Sequence, residues 1–447
     1  MRDILMVLLF AGILPMAVRF TWVAVMLWTW VSIMNPHRLT FGFAHDLPYA
    51  AAAAGAAFIS LLINRDKLHF PRDASVTFLL LFIAWTCVTT AFAYYPGDSL
   101  VQLEKVAKIQ VMTLVALAAI RERKHIELFV WINALSIGFY GVKGGIFTIT
   151  TGGSERVWGP AGGFIEGNNE LGLAMVMVIP LLNYLRLVSQ NTWIRLGLVL
   201  TMLLTAVAVL GTHSRGAFLA IAAMAAFLWL RSHRKVLSGV AMLIIGSALL
   251  AFMPGNWEER MGTIKTYEED GSAMGRINAW ETAFNIANAR ATGAGYSMYT
   301  TEVFAVYAPR PAENRAADPR IARAAHSIYF QVLGEHGWVG LVLFMAIGAA
   351  SFMRAGRLRR EAQAAPETLW LHHLAGMIQV SMVGFAVGGA FLSLAYFDLP
   401  YNILVVVVAC SYWMKEKRWT FETQGALGAG TPVGRLRPRR KLEGTHA

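Results

Sequence analysis

The stretch LGLVLTMLLTAVAVLGTHSRGAFLAIAAMAAFLWL, residues 196–230, decides the fold. Two apolar runs are separated by one tight polar turn, GTHSRG, whose only formal charge is Arg215. A helix needs roughly 20 apolar residues to cross a hydrocarbon core about 30 Å thick, and each run comes close to that. The pattern is a pair of membrane helices joined by a short connection.

The same pattern recurs along the chain. Apolar runs fall at 4–17, 20–34, 49–64, 74–93, 106–120, 126–148, 167–188, 193–211, 216–231, 236–253, 333–353, 367–391 and 395–414. The first two are separated only by Val18 and Arg19, so the count is 12 or 13 spans. With 447 residues, 56% of them hydrophobic and 15% charged, the composition argues against a soluble single core. The sequence predicts an all-α, polytopic membrane helix bundle.

The net charge of +12 does not imply nucleic acid, because the excess sits in short clusters between apolar runs and in the tail RLRPRRK, residues 435–441. That is the positive-inside bias of a membrane protein. Counting Lys and Arg in the short connections puts RERKH (121–125), RSHRK (231–235), RAGRLRR (354–360) and the tail from Lys415 on one, cytoplasmic side. The first apolar run is expected to be retained, since no small-residue cleavage site follows it. Cys87 and Cys410 lie inside apolar runs without a CxxC spacing, so neither redox nor metal chemistry is expected of them. Four parts follow: membrane helices over 1–253, a large outward loop over 254–325, further membrane helices over 326–414, and a basic cytoplasmic tail over 415–447.

The loop is the one long polar insertion, and loops of such length are functional or disordered. In its first half, Asp270 or Ser272 can cap a helix carrying Met274, Ile277, Trp280 and Phe284 at helical spacing. Its second half, rich in Pro, Ala and Arg, reads as a flap.

The chain has no GxxxxGK[ST] phosphate loop, no HExxH and no GxSxG elbow, which removes support for an ATP-driven pump, a zinc protease or an α/β-hydrolase. No metal site is expected, and the adjacent acids Glu268, Glu269 and Asp270 read as a solvated turn. Arg215 sits at an outward turn, where snorkelling to the interface is the plain alternative to a functional role. Arg276 falls in the first turn of the expected loop helix, where a cation opposes the helix dipole and a bound anion would relieve the conflict. His326 ends the loop at the membrane surface and, near its ordinary pKa of about 6.5, can accept a proton at neutral pH. Glu335 and His336 lie about ten residues, or roughly 15 Å of helix, farther on, too far for a simple dyad with His326. Gly334, Gly337 and Gly340 read as a close helix-packing face, with Glu335 satisfying a buried neighbour. Lys143 and Glu170 read as interfacial anchors.

Five stretches carry a resemblance: MNPHRLTFGFA (34–44), WGPAGGFIEGNNELGLA (158–174), GTHSRGAFLA (211–220), YEEDGSAMGRINAW (267–280) and AHSIYFQVLGEHGWVGL (325–341). In them the chain resembles the bacterial O-antigen ligase and polymerase superfamily, and more closely the O-glycosylation ligases that accompany exosortase A systems. The resemblance implies a glycosyltransferase of the C type in the bacterial inner membrane, with its large loop periplasmic and with no cofactor. It implies transfer of a glycan from undecaprenyl diphosphate to a hydroxyl acceptor on a glycan, lipid or protein. Arg215 and Arg276 look like the family's essential arginines, which would hold the diphosphate. His326, in an H-[NS] context before ExGxxG, looks like its essential histidine, with Glu335 and His336 in support. A polymerase of the same superfamily has the same donor chemistry, and composition alone equally allows a transporter or flippase of lipid-linked saccharide.

Overall fold

The structure, a computed structural model, describes residues 1–65, 70–232, 234–251, 253–255, 271–309 and 322–420. The acidic run ending at Asp270 and the basic tail beyond Thr420, both singled out from the sequence, lie outside these residues. All thirteen apolar runs correspond to helices. They are α1 (Arg2–Arg19), α2 (Thr21–Met34), α3 (Tyr49–Ile63), α4 (Ala74–Ala91), α5 (Pro96–Ala119), α6 (Arg123–Thr150), α7 (Asn168–Val188), α8 (Thr192–Gly211), α9 (Arg215–Arg231) and α10 (Lys235–Ala251). After the loop helices α11 (Gly271–Ala289) and α12 (Thr301–Tyr307) come α13 (Ile328–Glu361), α14 (Leu369–Gly389) and α15 (Asp398–Lys415). Among the described residues there are no strands, and six helices are long and apolar enough to span a membrane. The chain is a multi-pass membrane helix bundle.

Local chemistry sets the helix ends. Asn191 caps α8 by accepting from Trp193 N at 2.8 Å, and Ser214 caps α9 by accepting from Ala217 N at 3.2 Å. Such caps each contribute about 1 kcal/mol. Leucines and isoleucines on α8 and α10, such as Leu200, Leu243 and Ile244, remain exposed. Lipid accepts that surface as water would not.

Packing between helices relies on small residues. Gly141, Gly144 and Gly145 of α6 press against α8; a Cβ at Gly145 would lie 2.3 Å from the Leu204 carbonyl oxygen. Such close approach is how helices gain contact in lipid, where apolar burial gives no advantage. Polar links orient the rest: Asn402 donates to Asn133 at 2.8 Å, Ser32 to Asp398 at 2.6 Å, and Ser381 to the Met177 carbonyl at 2.7 Å. Asp73, at the head of α4, accepts two bonds from Arg354 of α13, at 2.9 and 2.6 Å. Its burial works against the charged form, but the bonds from Ser75 and Arg354 prevail and hold its carboxyl below the ordinary value.

Helix α13 is broken at Gly337, which has φ 65° and ψ −171°. The break frees carbonyls that an intact helix would use, and each finds a donor. Ala294 N and Gly295 N reach the Gly334 and Glu335 carbonyls, both at 2.9 Å, and Trp85 Nε1 reaches that of His336 at 2.8 Å. Gly337 is therefore a conformational break as well as a packing glycine, which corrects the sequence reading. Gly337→Ala should destabilise the purified protein by more than about 1 kcal/mol, read as a lower thermal midpoint, since left-handed φ disfavours a side chain and the new Cβ would lie 2.3 Å from the Ala291 carbonyl oxygen. Gly348→Ala, whose Cβ would meet nothing within 4 Å, should leave the midpoint unchanged or raise it; equal losses in both would contradict this account.

Candidate functional site

Arg215 is the first residue of α9, after a turn held from two sides. His213 adopts φ 53°, and its Nε2 lies 2.8 Å from the Gly153 carbonyl oxygen. Asn168, at the head of α7, donates to the Thr212 carbonyl at 2.7 Å. Helix-start amides and a guanidinium thus coincide at Arg215, a combination that favours an anion.

Arg276 stands in the second turn of α11, which begins at Gly271, rather than in the first. The dipole effect fades within one turn. The anion argument made for Arg276 from the sequence therefore applies to Arg215 instead. One turn along α11, Trp280 donates to the Ala325 carbonyl at 2.7 Å and stacks on Phe330, with planes 7° apart. This contact fixes the backbone just before His326.

His326 has φ 45°, a conformation uncommon for any residue but glycine. Its Nδ1 is buried and has no hydrogen-bond partner among the described residues. Burial first, and then the positive charge of Arg276, pushes the ring pKa down to about 4. The ordinary value expected from the sequence is thereby corrected, yet the ring is neutral at pH 7 and able to take a proton.

Arg276 also lies within electrostatic reach of Glu170, in the first turn of α7. Arg323 adds another guanidinium, its stem lying across Gly275 beside Arg276. The sequence reading took Glu170 for an anchor and did not single out Arg323. An acid just inside a helix that follows a Gly- and Asn-rich connection was the available signal. Lys143 is exposed on α6, away from the glycines that pack against α8, as an anchor would be.

Close packing joins these elements at one end of the bundle. Ile328, opening α13, abuts Gly389 of α14; Phe391 and Leu392, just beyond α14, close over Gly216 beside Arg215. Gly172 of α7 fits against Thr212 and Ala217. The heads of α7, α9 and α13 thus meet at the end of α14.

Glu335 and His336 are not part of this gathering. Both are buried, at 3% and 0% exposure, so neither can touch a soluble substrate. Glu335 accepts a hydrogen bond from the Tyr396 hydroxyl, with the Ser297 amide and Gln331 also bonded to it. His336 shares a 2.7 Å hydrogen bond with Thr89 and sits among the rings of Phe82, Tyr296 and Tyr396.

An apolar groove of 290 Å³ is lined by Ile328 and Tyr329 at the head of α13, just after His326, and by Phe344 to Phe352 farther along it, with α14 and α15 as its other walls.

Residues 200–345 match the family described as O-Antigen ligase. That stretch contains Arg215, Arg276, His326, Glu335 and His336, and it supports the superfamily and a membrane enzyme of glycan transfer in general. Residues 1–190 match a family of unknown function, DUF5935. No curated protein matches the chain.

The geometry separates the two histidines by experiment. His326→Ala should lower turnover by about 10² to 10³ while leaving the thermal midpoint near that of the wild type. His336→Ala should lower the midpoint by several degrees while the folded fraction keeps much of its turnover, because it empties a buried, hydrogen-bonded position. A His336 variant that folds normally but is inactive would reverse the assignment.

Proposed function

We propose that the chain transfers a glycan from undecaprenyl diphosphate to a hydroxyl acceptor at the periplasmic face of the bacterial inner membrane. The observation that carries this reading is the half-buried, neutral His326 within the field of Arg276, two residues ahead of an apolar groove that starts at Ile328. An anionic headgroup suits the guanidiniums, and a long apolar tail suits the groove.

In this mechanism the acceptor oxygen attacks the anomeric carbon while His326 takes its proton. The bond from that carbon to the diphosphate oxygen breaks, and the diphosphate leaves with the electron pair. Arg215 and Arg276 stabilise the charge gathering on it, a role that needs no metal. Attack opposite the leaving group inverts the anomeric centre. Glu170 steadies Arg276 through the attraction between them. A bound diphosphate offsets the positive field of Arg276 and so makes His326 more basic than in the free enzyme.

Each of Arg215→Gln, Arg276→Gln and His326→Ala should cut transfer from a lipid-linked donor by about 10² to 10³, the usual cost of one such group. Normal transfer by all three, at normal protein levels, would sink the proposal. Linkage mass spectrometry in a deletion strain then identifies the acceptor: loss of a protein- or lipid-attached glycan marks a ligase, and loss of chain length marks a polymerase. Movement of donor across vesicles without product would mark a transporter.

The pH profile gives a second test. Because the folded-state pKa of His326 is depressed to about 4, kcat/KM should hold through pH 5 to 6 and fall only as pH approaches that value. Arg276→Gln removes a positive neighbour, so the acid limb of its residual rate should move upward, stopping short of about 6.5 because burial remains. A wild-type limb near 6.5 would contradict this placement of the ring.

A further inference from the structure

A second crevice lies at the opposite end of the bundle. Helix α2 starts there at Thr21 and runs to Met34, whose carbonyl accepts from Tyr140, while Asn35 beyond it lies against Gly163 in the connection leading to the head of α7. The crevice measures 370 Å³ and is bounded by the α1–α2 corner, the end of α3, the α5–α6 corner and Arg418.

Its charges are unevenly paired. Glu416 is bonded to Arg418 at 3.0 Å, and Glu122 lies 3.7 Å from His125. Arg121 feels Glu416 only at a distance, through its charge, and its Nη2 is shut off from solvent with no hydrogen-bond acceptor among the described residues. Arg121 and Arg418 both lean on the Tyr412 ring, at 5.5 and 5.4 Å, so two like charges are held close together. Burial chiefly, and repulsion from Arg418 after it, lower the pKa of Arg121 against the opposing pull of Tyr412 and Glu416. A partly buried guanidinium with an unused N–H beside a second guanidinium is stabilised by an acceptor anion, and phosphate oxygens match that fork.

The surroundings indicate how such an anion arrives. Phe20, at the crevice rim, is exposed, and Trp22 stacks on His125 at 4.5 Å, giving an aromatic wall where apolar helices end. Aromatic rings at that level sit among lipid headgroups.

We propose that this crevice binds a phosphate-bearing anion, above all the headgroup of an anionic phospholipid, through Arg121 and Arg418. The headgroup enters between the α1–α2 and α5–α6 corners, and its acyl chains run along the apolar surface beside Phe20. The site is remote from His326 and does not depend on the proposed transfer activity.

Native mass spectrometry of the full chain in detergent tests this with phosphatidylglycerol, phosphatidylcholine and inorganic phosphate as probes. Phosphatidylglycerol should bind more tightly than phosphatidylcholine, and Arg121→Gln or Arg418→Gln should weaken it roughly tenfold, the loss of one charge-assisted hydrogen bond. Arg357→Gln, which removes an exposed cation outside the crevice, should leave binding unchanged. Inorganic phosphate that displaces phosphatidylglycerol supports the same site and shows that a free anion also enters it. Equal binding of the two lipids, or an equal loss in Arg357→Gln, overturns the proposal. If Arg121→Gln does not fold, Arg418→Gln and the wild-type lipid comparison still decide it.

Discussion

The break at Gly337 is the constraint on which the rest of the site depends. A helix interrupted within a bundle must find other donors for its carbonyls, and here the segment from Gly293 to Gly295 supplies two of them. Meeting that requirement draws the loop inward. Tyr94 N donates to the Ala294 carbonyl, Ser99 to that of Tyr296, and Arg290 to that of Phe92, so the segment is tied to α4 and α5 as well as to α13. With the end of α11 held in this way, Trp280 comes to lie under Ala325, and His326 is placed beside Arg276. Glu335 and His336 serve the same anchorage from below, through Tyr396 and Thr89.

The electrostatics of the site follow from that placement. A histidine held in partial burial next to a guanidinium stays neutral across physiological pH, but it is a weak base. Its proton affinity then depends on what else is bound nearby, since any anion that offsets Arg276 strengthens it. Basicity and occupancy are coupled, and the ring is at its weakest when no anion is present.

Much of the architecture was legible because hydrophobic length is a coarse and robust signal. The thirteen apolar runs and the turn at GTHSRG need only composition and spacing, and each is a helix or a turn in the structure. The close packing of the head of α13 against α14 was not legible, because it joins residues about sixty positions apart in sequence. The break at Gly337 was hidden for a related reason: GEHGWVG has helical periodicity, and only the partner loop reveals that φ turns positive there. Arg276 was misplaced by one turn because its helix start was inferred from candidate caps, and such boundaries are the least certain part of any sequence reading. Glu170 was undervalued because its partner lies on another element, more than a hundred residues later.

The glycine face of α6 also bears on how the two matched stretches relate. One ends at residue 190 and the other begins at residue 200, as though the chain carried two modules. Yet Gly141, Gly144 and Gly145 from the first stretch fit against Thr205, Ala208 and Leu204 from the second, leaving no room for even a methyl group between them. Divided at that boundary, each piece would offer lipid a grooved surface that acyl chains fill poorly. The sequence boundary between the two families is therefore not a seam in the molecule: the two stretches interlock, and a side chain added at Gly141 or Gly145 would have to be accommodated by α8.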